Sequence, residues 1–144
     1  MKKLITVIII TFITISCGKI RDARNSLNDI ETFINERPDS ALAILDSFNT
    51  SLFTSQSIRA HHSLLHTQAK DKCFIDETDD SLMSTVVNYY EGKHDKEKLF
   101  KAYYYLGRVQ YNAGNYAESM ISYTKAERLI DSIDDDFIKG LLYA

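Results

Sequence analysis

Three histidines, His61, His62 and His66, are the nearest approach to a metal cluster in this 144-residue chain. His62 and His66 stand four apart, so on a helix they share one face, as the paired histidines of zinc helices do. No Glu follows the first of them in the metalloprotease manner, and no third ligand sits at a fixed spacing. The expectation is therefore of surface or groove histidines, with no metal and no cofactor. Cys73 lies among Lys70, Asp71, Lys72 and Asp76, and nearby lysines could lower its thiol pKa. It belongs to no Cys-x-x-Cys pair, and no motif nominates a His or Asn to activate it. The acidic runs 76–80 and 134–136 lack the central Gly and terminal Glu of a calcium loop, and read as helix caps and solvated loops. There is no Gly-rich phosphate loop and no Gly-x-Ser-x-Gly elbow. The case for an enzyme has no residue to start from, and the expectation is a non-catalytic protein.

Aromatic chemistry is a better lead. Eight of the nine tyrosines fall between Tyr89 and Tyr123. Tyr suits interfaces, because it joins a large apolar ring to one polar tip. On a helix, Tyr103 falls on a packing stripe while Tyr104 and Tyr105 point elsewhere. Tyr104, Arg108, Gln110 and Asn112 are the candidates for an exposed groove that holds a protein or peptide partner.

Helices must position these groups. With one Pro and five Gly in 144 residues, an all-β fold full of turns is disfavoured. Apolar spacing of three and four marks a first helix over 22–36 (Ala23, Leu27, Ile30, Phe33, Ile34). Arg37-Pro38 should end it, with Asp39 or Ser40 capping a second (Ala41, Ile44, Leu45, Phe48). A third runs over 57–70 (Ile58, Leu64, Leu65, Ala69), followed by a polar loop over 71–80. A fourth carries Leu82, Met83, Val86, Val87 and Tyr90, and Asp95 caps a fifth. The fifth and sixth form the stretch 102–129. There Leu99, Tyr103, Leu106 and Gln110/Tyr111 make one stripe, and Tyr116, Met120, Tyr123 and Ile130 make another. Gly114 can take the left-handed conformation that ends a helix, and Asn115 can cap the next. Gly107 and Ala126 stand where larger side chains would hold the two helices apart. A seventh helix, 137–144, would show an apolar face (Phe137, Ile138, Leu141, Leu142, Tyr143) where repeat arrays normally end in a polar cap, as though the array were longer.

Tyr103, Leu106, Gly107, Gly114, Tyr116, Tyr123 and Ala126, with Asn115, resemble the signature of a tetratricopeptide repeat (TPR), a 34-residue helix–turn–helix unit. Gln110 stands where an aromatic is usual in that family and Ser119 where Ala is usual. First helices begin near Asp22, Ser57, Asp95 and Asp135, a spacing close to the repeat period. The resemblance implies an all-α fold: a right-handed superhelical array of antiparallel helix pairs, a TPR-like α-solenoid of about three pairs and a partial fourth over residues 23–144. The opening repeat looks like that of TPR-containing lipoproteins and regulators common in Bacteroidetes.

The N-terminus carries a second resemblance. Lys2 and Lys3 precede an apolar run, 4–15, that is too short for a membrane span of about 20 residues. Thr-Ile-Ser-Cys, ending at Cys17, is similar to the lipobox of bacterial lipoproteins. It implies a leader over 1–16, a lipid on Cys17, a tether over 17–22 and a location in the cell envelope. A plain cleaved leader and an uncleaved anchor are the alternatives. Without Lys2 and Lys3, 15 of the 17 basic residues remain against 20 acidic. This mildly acidic body does not suit nucleic acid. Cys17 and Cys73 are too differently placed to suggest a disulfide framework. The function that follows is a membrane-anchored module binding a protein or peptide on its concave face. The alternative is the N-terminal sensory or scaffold part of a longer TPR-containing transcriptional regulator.

Overall fold

The computed structural model describes residues 21–133 and 140–141. Over these residues the protein is all-helical, with no strand. The expected leader over 1–16, Cys17, and most of the expected seventh helix lie outside the described residues. Helix α1 covers 21–33. It is followed by α2 (Pro38–Ser47), α3 (Gln56–Lys72), α4 (Ser81–Glu91), α5 (Lys96–Asn112) and α6 (Tyr116–Glu127), with short 3-10 turns at Thr50–Leu52 and Ile130–Ser132.

Several boundaries follow from identifiable residues. Helix α1 ends at residue 33, short of the expected 36, so Pro38 is not what stops it; Pro38 opens α2, with Arg37 at the N-cap. The first helical position has no use for a backbone N–H, and the fixed φ of Pro suits it, so Asp39 and Ser40 lie inside the first turn. Asp95 caps α5 as its type suggests, accepting the Lys98 N–H at 3.0 Å. Asn115 makes no side-chain cap on α6. The third helix is longer than its apolar pattern, and Asp71 lies within it.

Helix α3 is the centre of the molecule, because its two faces serve two separate cores. Ile58, Leu65 and Ala69 join Leu27, Ile30 and Ile34 of the α1 segment and Ala41 and Leu45 of α2. Ala60 and Leu64 join Met83, Val86, Phe100, Tyr105, Val109 and Ala126 from α4, α5 and α6. A helix buried on both sides needs apolar residues beyond one stripe, and α3 also buries His61, His62, Thr67 and Gln68.

Contacts fix the relative directions. Glu31 meets His61 and Asn35 meets Gln68, so α1 and α3 run the same way, 30 and then 33 residues apart. Asp71 meets Arg108, 37 residues on, which brings α5 alongside α3. Between α5 and α6 the order reverses: Tyr103 lies by Lys125, Gly107 by Tyr123 and Tyr111 by Tyr116. Glu91 with Tyr103 and Asp80 with Gln110 show the same reversal between α4 and α5.

Helix α6 departs from its expected stripe. Its buried residues are Ser119, Ser122 and Ala126, whereas Tyr116 and Met120 are about two-thirds exposed. Small residues let α6 lie close on α5. The Ser119 hydroxyl donates to the Gly107 carbonyl at 2.8 Å, and the bulky side chains are turned outward. Ile44 of α2 and Leu82 of α4, both expected inward, are exposed as well.

Candidate functional site

The aromatic candidates lie on the shared face of α3, α5 and α6. Tyr104 is half-buried. Its ring stacks with Phe100 at 6.4 Å, meets Tyr105 edge-on at 5.1 Å and leans on Tyr123 at 5.8 Å. Burial pushes the Tyr104 and Tyr123 hydroxyls above their ordinary pKa, so both stay protonated donors near neutrality. Arg108 donates its Nε–H to Asp71 Oδ1 at 2.8 Å. Burial alone would lower its pKa, and the Asp71 bond more than offsets this. Asn112 is half-buried one turn further along.

Two tyrosine-region expectations change. Gln110 is only 7% exposed. Its amide donates to Asp80 Oδ2 at 3.0 Å, and its oxygen accepts from Ser122 at 2.7 Å. A buried amide satisfied at both ends ties α4 to α5 and α6, so Gln110 is structural and not part of an open groove. Tyr105, expected to point away from the packing stripe, is fully buried. Tyr104, Arg108 and Asn112 remain on one accessible face.

At the far end of the same helices, Glu31 is a junction of charges. Its carboxylate meets His61 at 3.1 Å, Lys98 at 3.3 Å and Lys101 at 3.2 Å. Lys101 also reaches Glu97 at 2.8 Å. Burial pushes the Glu31 carboxyl upward, but the His61 hydrogen bond and the charges of Lys101 and Lys98 win and hold it far below the usual carboxylate range.

His62 and His66, unlike His61, lie on the other side of α3. His62 Nε2–H donates to the Leu45 carbonyl at 3.0 Å, and His66 Nε2–H to Asp46 Oδ1 at 2.8 Å. The two rings stack at 5.7 Å. Burial holds the His62 pKa below its ordinary value, despite the Leu45 bond, so the ring is a neutral imidazole. Among the described residues no three His, Cys, Asp or Glu side chains come together to hold a metal. Beside these rings a groove of about 470 Å³ opens over α3, with Phe53, His62, Leu82, Val86 and Tyr89 among its walls. Its residues were not legible as a site: Phe53 comes from a connection, and Leu82 read as core. The pairing of His62 with His66 was the one signal pointing to that face.

Cys73 is a half-buried free thiol closing α3. No helix among the described residues is long and apolar enough to cross a membrane. No family model, no curated protein and no solved structure matches the chain.

Proposed function

We propose that this protein is a lipid-anchored, TPR-like interaction module that binds a protein or peptide and carries out no reaction. The reading is supported most by one observation. Helices α1, α3 and α5 are joined side by side through contacts 30, 33 and 37 residues apart, close to the 34-residue period of that repeat. Alternating helices that return at similar intervals form a layer, and such layers present extended binding surfaces. The right-handed superhelical arrangement belongs to the same proposal.

On this reading, the partner lies along the α3–α5 face and meets Tyr104, Arg108 and Asn112. Tyr104 supplies a ring already held by its neighbours, so little freedom is lost on binding. Arg108 supplies N–H donors beyond the one given to Asp71. The attachment would come through Cys17, whose acyl chains each add about 0.8 kcal/mol per buried methylene.

Crosslinking and pulldown from the native membrane fraction tests the proposal. Tyr104→Ala and Arg108→Ala should each weaken capture of the partner while the far-UV circular dichroism stays helical. Capture undiminished in both variants would remove this face from the proposal.

A further inference from the structure

Helices α3 and α5 end in the same hydrogen-bonded motif. In α5, Asn115 N–H bonds to Gln110 O and Gly114 N–H to Tyr111 O, with Gly114 at φ +79°. In α3, Ile75 N–H bonds to Lys70 O and Phe74 N–H to Asp71 O, with Phe74 at φ +59°. This Schellman closure calls for a left-handed residue, and glycine is the usual one. A bulky side chain there is a true outlier. Phe74 has no packing to compensate, since it is 94% exposed, and Ile75 beside it is exposed too. Strain kept at an exposed aromatic points to a role in recognition.

The groove over α3 has the complementary character. Its walls include the apolar Phe53, Leu82, Val86 and Tyr89 beside polar His62, His66 and Thr85, and Arg59 is the one lining residue of fixed charge. Asp76 and Asp79, both exposed, follow Phe74. An aromatic knob with acids on its C-terminal side thus faces the chemistry of an aromatic-walled slot with an arginine at its side. Within one molecule the two do not meet: Phe74 is almost wholly exposed and is not among the residues that line the groove.

We propose that Phe74 of one copy of this chain inserts into the α3 groove of another. Knob and groove are different surfaces, so the contact is heterologous: each molecule that offers a knob still has an empty groove, and association does not close at a dimer. One aromatic side chain buries about 150–250 Å², well short of the roughly 1,200–2,000 Å² of a standard stable interface. The contact is therefore reversible and grows with concentration. It does not depend on whether the Tyr104–Arg108 face binds a partner.

Sedimentation velocity of the full chain over a wide concentration range tests this, with two variants. Wild type should sediment progressively faster as concentration rises, without a dimer plateau. Phe74→Asp removes the knob, and Thr85→Trp obstructs the groove from an exposed position; each alone should stay monomeric. An equimolar mixture should form a heterodimer and stop there, because only one intact knob and one intact groove remain. A wild type that is monomeric throughout, a Phe74→Asp protein that associates like wild type, or a mixture that stays monomeric would overturn the proposal.

Discussion

Gly107 and Tyr123 meet so closely that a Cβ added to the glycine would stand 2.8 Å from the tyrosine ring. Real Cβ atoms do not tolerate that approach, so the missing side chain is what lets α6 lie on α5. The same spot carries the Ser119 hydroxyl bonded to the Gly107 carbonyl. Gly in a helix interior costs about 1 kcal/mol relative to Ala, and close packing of α6 is what offsets it.

Gly107→Val should therefore destabilise the protein by about 2 kcal/mol through overpacking, read as a lower urea midpoint. The loss should shrink in a Tyr123→Ala background, because the clash has one named partner. Equal losses in both backgrounds would show that the ring is not what the glycine accommodates.

Glu31 gives a pH dependence with a definite sign. Its folded-state pKa is depressed, against about 4.3 in an unfolded chain. The stability it contributes is therefore fully present above the unfolded value. It is lost as pH falls below about 5, where the unfolded chain takes up a proton that the folded one refuses. Glu31→Gln should be less stable at pH 7 by about 1–3 kcal/mol, since Lys101 and His61 lose a charged partner. It should also lose less stability on acidification than wild type does. Thermal melts of both proteins from pH 7 to pH 3 check this; parallel curves would remove Glu31 from the acid response.

How much of this was legible in the sequence depended on whether a residue's role was local. Gly114 and Asp95 act on their own turns, and both behave as their types suggest. Helix existence came from period, and over residues 21–133 six α-helices are present close to where the spacing placed them. Faces were harder. In α6 the apolar stripe through Tyr116 and Met120 points outward, because closeness to α5 favours Ser119, Ser122 and Ala126. Gln110 looked like a solvent-facing polar residue, yet its partners Asp80 and Ser122 lie 30 and 12 residues away. The Glu31 junction draws on α1, α3 and α5 together, up to 70 residues apart, and no local pattern announces it. The groove over α3 escaped for the same reason.

The proposed anchor rests on one atom, the Cys17 sulfur. Cys17→Ser should abolish incorporation of labelled palmitate and shift the protein from the membrane to the soluble fraction, while Cys73→Ser leaves both unchanged. Label retained after Cys17→Ser would end the lipoprotein reading and leave the helical fold untouched.

Phe74 and Gly114 offer a reciprocal test of strain. The left-handed conformation costs a non-glycine residue roughly 1–2 kcal/mol. Glycine avoids that cost but brings about 0.5–1 kcal/mol of extra unfolded-state freedom. Phe74 is almost wholly exposed, so replacing it removes little burial. Phe74→Gly should then raise stability by about 0.5–1 kcal/mol, an upward Tm shift of about 3 °C for a domain of this size. Gly114 has nothing within 4 Å of a prospective Cβ, so Gly114→Ala should lower stability by a similar amount through backbone conformation alone. Opposite shifts at two equivalent helix ends would show that α3 tolerates strain which α5 avoids. A Phe74→Gly protein that melts below wild type would mean that the ring makes stabilising contacts within the monomer, and the reason to look for its partner in a second molecule would be gone.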